Sequence, residues 1–180
     1  MNLSGDDEQA FRRQLVALLP RLRRFALSLC RDQAEADDLV QAACERALRR
    51  WRRWRPGSRL DNWMFTIIRH LFIDETRTAR RKNPHVPLEE ERLLTTVANT
   101  MKKIEAKMNL EQVAGAMQRL AAGERLVIAL VCVEGMSYKD AAATMQVPVG
   151  TVMSRLARAR KKLHRLVRSE TDLEKNNEPE

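Results

Sequence analysis

Apolar residues recur at helical spacing through most of the chain. Phe11, Leu15, Leu18, Leu19, Leu22, Phe25, Ala26 and Leu29 mark one face of a first helix, because positions three and four apart line one side of a 3.6-residue turn. Pro20 falls inside this pattern and is expected to kink or divide the helix, since it removes a backbone donor. A second helix starts at about Gln33, with Ala36, Leu39, Val40, Ala43, Cys44, Ala47, Leu48 and Trp51 as its apolar face. Arg55-Pro56-Gly57-Ser58 reads as a loop, and Asp61 or Asn62 suits the N-cap of a third helix. That helix carries Trp63, Met64, Ile67, Ile68, Leu71 and Phe72 inward and ends in the basic run Arg77 to Lys82, where cations favour a helix C-terminus.

Asn83-Pro84-His85-Val86-Pro87 breaks the pattern, which stays weak to about Lys107. The expected organisation is a first domain over 8–83, a linker over 84–107, a second domain over 108–168 and an acidic flexible tail over 169–180. Leu110, Val113, Ala114, Met117 and Leu120 open the second domain as one stripe. The segment ERLVIALVCVE, Glu124 to Glu134, is apolar almost all round, as a centrally buried helix is. Gly135 suits its stop. Ser137 and Asp140 have capping-box spacing for a short helix whose inner face is Ala141, Ala142 and Met145. Gln146-Val147-Pro148 makes a tight turn, and Pro148 can open the next helix without losing a needed N–H.

In that last helix Val152, Leu156, Ala159 and Leu163 form the inner stripe, while Thr151, Ser154, Arg155, Arg158, Lys162 and Arg165 lie opposite. A short capped helix, a tight turn and a long helix with a cationic outer face form a helix-turn-helix pattern. The outer-face groups are those that hydrogen-bond base edges and phosphates in a major groove. A merely solvated basic helix does not account for the cap, the turn and the absence of acids together. The fold class expected is all-α: two small helical domains joined by a linker, the C-terminal one a helix-turn-helix.

Charge sharpens this picture. The 180 residues carry a formal charge of +9, which favours polyanionic partners. It is unevenly placed: Arg46 to Lys82 holds twelve Lys or Arg against three acids, and Thr151 to Arg168 holds seven and none. Two basic blocks suggest two contacts on one extended polyanion. Cys30, Cys44 and Cys132 have no metal-ligand spacing and read as buried small hydrophobes in a reducing, cytoplasmic setting. No metal or other cofactor is expected. The N-terminus is polar and acidic, unlike a signal peptide, and no apolar run approaches the roughly 18 residues of a membrane span. No nucleophile triad, paired-carboxylate site or phosphate loop is present, so an enzyme is not expected.

AEADDLVQAACERAL (Ala34 to Leu48), LDNWMFTIIRHLFIDETRTARR (Leu60 to Arg81), the L-x-x-x-x-R from Leu120 to Arg125 and EGMSYKDAAATMQVPVGTVMSRLARARKKL (Glu134 to Leu163) together resemble the extracytoplasmic-function sigma factors, the short members of the sigma-70 family. GTVMSRLARAR, Gly150 to Arg160, is the most specific stretch. The likeness spans about 10–168. Leu120-Ala121 stands where the family usually shows Leu-Pro, and His70 where an Asn is commoner.

The resemblance implies a bacterial alternative sigma factor that binds core RNA polymerase and directs initiation at promoters. Asp37, Asp38, Gln41 and Glu45 would contact the clamp helices of the largest polymerase subunit. Lys139, Thr151, Ser154, Arg155, Arg158 and Lys162 would bind −35 DNA. Trp54, Arg55, Gly57, Ser58, Arg59, Arg69 and His70 would hold melted −10 DNA, the loop capturing a flipped base. Extracting a base costs a few kcal/mol, which a receiving pocket offsets. An anti-sigma factor is a further implied partner. All three Trp fall between Trp51 and Trp63. Trp51 and Trp63 read as core; Trp54 sits off the stripe, and packing against the loop is the alternative to stacking on DNA. Two other readings compete: a helix-turn-helix repressor or activator that needs no polymerase, and a pure interaction protein such as a polymerase-binding decoy.

Overall fold

The computed structural model describes residues 5–55, 57–82 and 112–175. The expected linker over 84–107 lies outside the described residues, as do Pro56 and the tail residues 176–180. Among the described residues every regular element is helical, and no helix is long and apolar enough to cross a membrane.

The first unit is built from α1 (Gly5–Leu29), α2 (Gln33–Arg49), a 3-10 turn (Trp51–Arg53) and α3 (Leu60–Lys82). Pro20 neither breaks nor divides α1, which is one helix of 25 residues. An interior proline costs about 3 kcal/mol. Here Phe11 and Leu15 on one side of it and Leu22, Phe25 and Leu29 on the other are all buried, each contributing roughly 1.5–3 kcal/mol, so packing on both sides holds the helix together. Asp32 caps α2, accepting the Glu35 N–H at 2.9 Å. The Phe11 ring is the hub of the indoles, with centroids 6.5 Å from Trp51, 5.7 Å from Trp54 and 6.1 Å from Trp63. Deeper in the unit Phe25 meets Phe65 edge-on at 4.7 Å. Leu19 and Leu48 here, and Ala114 and Cys132 further along the chain, all expected to face inward, are exposed.

Helix α3 begins at Leu60, earlier than an Asp61 or Asn62 cap would place it. Asp61 is instead buried in its first turn, its carboxylate accepting from Arg21, Arg59 and the Asn62 N–H. Three donors, two of them cations, outcompete a simple capping geometry.

The second unit comprises α4 (112–118), α5 (Ala122–Ile128), a π-helical turn (Ala129–Val133), α6 (Tyr138–Met145) and α7 (Val149–Lys175). Leu126 to Leu130 are buried, as the apolar run predicts. Beyond them the expectation fails. Glu134 donates its N–H to the Ala129 carbonyl, five residues back, so the last turn is widened. The apolar Val133 is left exposed while the Glu134 side chain is fully buried. Gly135 ends the turn at φ +65°. Ser137 caps α6, accepting the Asp140 N–H at 3.0 Å. Helix α6 closes with paired bonds from Gln146 to Ala143 and from Val147 to Ala142, a Schellman arrangement that places Gln146 at φ +55°. Helix α7 continues through Lys175, past the point at 169 where a flexible tail is expected.

The two units pack together. Helix α1 lies against α5 and the π turn, and α3 against α5 and α6, so buried residues of both units form one core.

Candidate nucleic-acid and polymerase interface

Helix α7 sits with Val152, Leu156 and Ala159 buried against the second unit. Its outer face carries Ser154 and Arg158, both exposed, with Thr151 half-buried beside them. Arg158 Nε lies 3.4 Å from the Ser154 carbonyl oxygen, and Ser154 Oγ donates to the Thr151 carbonyl. Lys139 is exposed on α6. Arg155 and Lys162 are turned partly inward. The Arg155 guanidinium lies over Gly123, 3.6 Å from where a Cβ would stand, and Lys162 Nζ is 3.9 Å from Glu124.

Two exposed outer-face residues escaped the sequence reading. Lys161 is exposed three residues beyond Arg158 and seven beyond Ser154, the spacing of one helix face. Met153 is 53% exposed near the start of the helix, where an apolar side chain can meet a thymine methyl. Its signal was weak because Met is an ordinary core residue.

In the first unit the loop after Trp54 presents Arg55, Gly57, Ser58 and Arg59, all exposed. Gly57 takes φ +85°, a conformation that favours glycine, and Ser58 folds back through its N–H and Oγ onto the Arg55 carbonyl. Trp54 does not belong to this exposed set. It is 5% exposed and packed on Phe11, since the chain leaves the 3-10 turn at Trp54 with its indole turned into the core and not toward solvent. Its Nε1 has no hydrogen-bond partner among the described residues.

Arg59 and Arg69 are not free. Arg59 donates to Asp61 at 2.9 Å and to Asp140 of α6 at 3.2 Å, and the Asp61 hydrogen bond raises its pKa. Arg69 donates to Gln146 Oε1 at 3.0 Å and to the Thr144 carbonyl at 3.4 Å, and it neighbours the half-buried His70 ring. Burial, then the nearby Arg77 and Arg155, push its pKa down. For Asp61, burial alone would raise the carboxyl pKa. The hydrogen bonds from Arg59, the Asn62 N–H and Arg21 outweigh that and hold it below the ordinary value.

The polar row of α2 is intact. Asp38, Gln41 and Glu45 are exposed and Asp37 partly so. Asp37 pairs with Arg23 at 2.8 Å, Gln41 donates to Glu45 at 3.3 Å, and Glu45 reaches Arg49 at 3.6 Å. Beside this row an open groove between α1 and α2 is floored by Leu19, Leu27, Val40 and Cys44 and flanked by Arg23 and Arg24.

Between the units lies a polar seam that the sequence did not announce. Arg21 joins Asp61 at 2.7 Å and Glu134 at 2.6 Å, with Arg24 3.4 Å from the other Glu134 oxygen. Arg125 donates to the Leu29 carbonyl at the end of α1 and to Gln118, which itself donates to the Cys30 carbonyl. Burial pushes the Arg125 pKa down to about 10.

The chain is similar to known proteins along most of its length. Residues 15–82 match the family model for sigma-70 region 2, and residues 110–163 that for sigma-70 region 4. The ECF RNA polymerase sigma factor EcfG of Rhodopseudomonas palustris is 38% identical over 161 residues, covering 88% of this chain and 85% of that protein. SigL of Mycobacterium tuberculosis is 34% identical over 142 residues, covering 75% and 76%. The sigma factor RpoE of Bartonella quintana, solved in complex with the anti-sigma factor NepR, superimposes with a TM-score of 0.72 at 32% identity, covering 89% of this chain and 98% of that one. CnrH, solved with the cytosolic domain of CnrY, gives a TM-score of 0.64 at 26% identity, covering 89% of each. Matched in both regions and over most of its length, the chain belongs to the extracytoplasmic-function RNA polymerase sigma factors of the sigma-70 family.

Proposed function

We propose that this chain docks on core RNA polymerase through the α2 row Asp37, Asp38, Gln41 and Glu45, which meets the clamp helices of the largest subunit. Helix α7 enters the −35 major groove, with Thr151, Ser154, Arg155 and Arg158 contacting bases or phosphates and Lys139 and Lys162 the flanking backbone. The loop Arg55, Gly57, Ser58 and Arg59, with Arg69 and His70, holds the melted −10 strand. Polymerase performs the chemistry; this chain supplies the address and the strand opening, in the cytoplasm. The observation that carries the reading is the combination, in one chain, of an exposed polar row on α2 and a cationic outer face on α7 that holds no acid from Thr151 to Arg168.

Control by an anti-sigma factor is part of the proposal. It is supported by the likeness to a sigma factor captured with NepR and by the open apolar groove beside the α2 row.

The test is transcription in vitro with purified bacterial core polymerase over a library of random upstream sequences. Start sites that require the chain and share two motifs at fixed upstream spacings are the expected result. Stable binding to core without initiation favours a polymerase-binding decoy. Absence of binding to core favours a helix-turn-helix repressor.

A further inference from the structure

The first turns of a recognition helix are the part that meets base edges, and in α7 they are poor in free polar groups. Thr151 is half-buried. Ser154 Oγ donates its one proton to the Thr151 carbonyl at 3.2 Å, which leaves that hydroxyl only its lone pairs. Arg155 is turned back over Gly123, so Arg158 is the first exposed cation of the helix. The side chains that do face solvent before it are largely apolar. Val149 is 41% exposed and Met153 53%, and Ala157 is exposed as well. Positions 149, 153 and 157 share one helix face by their spacing.

This row has no part in the core that buries Val152, Leu156 and Ala159. Nor can it serve the phosphates, which are met by cations. A major groove does offer one apolar group, the C5-methyl of thymine. Methionine suits it, because an unbranched thioether chain adapts to the shape it meets.

We propose that Met153 is a specificity-determining residue, packing against the C5-methyl of a thymine in the −35 element with Val149 and Ala157 beside it on the same face. The inference rests on the proposed entry of α7 into the −35 major groove. Met153 and Arg158 are five residues apart, about 7.5 Å along the helix axis, which exceeds one base-pair step of about 3.4 Å. The thymine read by Met153 and the base or phosphate met by Arg158 therefore belong to different base pairs. A cytosine at the thymine's position offers no methyl and should be rejected, although nothing polar in the helix addresses it.

The experiment uses the full chain bound to purified core polymerase and a promoter taken from the random-library transcription. Each thymine of the upstream motif, on either strand, is replaced singly by deoxyuridine, which pairs identically and lacks only the methyl. Competition binding is read for wild type, Met153→Ala, Met153→Leu and Arg158→Ala. The expected result is one thymine whose replacement weakens wild-type binding about fourfold, the worth of one buried methyl. Met153→Ala should bind the thymine promoter more weakly and no longer distinguish it from the deoxyuridine form, while Met153→Leu keeps most of the discrimination. Thermal melts of the Met153 variants should match wild type, since the side chain is exposed. Indifference of wild type to deoxyuridine at every upstream thymine, or undiminished discrimination by Met153→Ala, overturns the inference. If Arg158→Ala still weakens binding in that event, α7 reads the upstream element without Met153 and the −35 assignment stands. If no upstream motif emerges, or Arg158→Ala and Met153→Ala both leave it unchanged, the −35 assignment of α7 falls as well.

Discussion

Arg125 of the second unit donates to the carbonyl oxygen of Leu29, the last residue of α1. A helix end carries unsatisfied carbonyls and partial negative charge, and here a cation from the other unit satisfies it. The same guanidinium holds Gln118 through its side chain and carbonyl and lies 3.3 Å from the Leu120 carbonyl oxygen. Arg125→Ala strands several of these buried acceptors and should cost about 2–4 kcal/mol, at roughly 1–3 kcal/mol per buried unsatisfied group. Arg125→Lys should recover little of it, because an ammonium lacks the planar fork that serves several acceptors at once. Urea unfolding of both variants measures the difference.

Asp61 ties the start of α3 to Arg21 and Arg59. Its pKa is lower folded than unfolded, so its contribution is fully present above the unfolded value, about 3.9, and is lost as pH falls through the lower folded value. Asp61→Asn should therefore destabilise the chain by about 1.5–3 kcal/mol at neutral pH, the range for hydrogen bonds to charged groups. The gap between variant and wild type should close in strongly acidic solution. Urea midpoints compared at pH 7 and near pH 3 give the answer, and a gap that stays constant would contradict the assignment.

Trp54 should behave as a core residue. Trp54→Ala is expected to lose about 3–5 kcal/mol. Trp54→Phe should lie within about 1.5 kcal/mol of wild type, since the ring volume is largely kept and the unpartnered Nε1 is removed with the indole. Thermal unfolding measures the stability, and promoter-dependent transcription by Trp54→Phe should persist at near wild-type levels.

On α7 the two central arginines should part company. Arg158→Ala removes an exposed cation and should weaken duplex binding while lowering the steepness of its salt dependence by about one unit. Arg155→Ala also removes the side chain packed over Gly123, so it should lower the unfolding midpoint as well. Binding titrations at several salt concentrations, beside a thermal melt, separate these effects.

Much of this was legible in the sequence because it follows from period and punctuation. The inner stripe Val152, Leu156 and Ala159, the Ser137 cap and the stop at Gly135 are local decisions, each written within a few residues. What was not legible depended on long-range partners. Nothing near Asp61 says that Arg21, forty residues earlier, will take its carboxylate away from a capping role. Nothing in ERLVIALVCVE says that the helix will widen at Ala129 and bury its terminal acid in place of Val133. The site followed the same division. The outer face of α7 could be read by counting turns, whereas the engagement of Arg59 and Arg69 by Asp140 and Gln146 required the two units to be seen together.

The widened turn at Ala129–Val133 makes the placing of Glu134 a matter of phase. One residue advances a regular helix by about 100°. Shortening this segment by a single position would let the Glu134 N–H reach the Ala129 carbonyl across an ordinary α-turn, keeping that acid beside Arg21 and Arg24 and removing the residue that the turn now bulges out. The widened turn is thus a tolerated insertion, which takes up one extra residue without moving the acid that follows it.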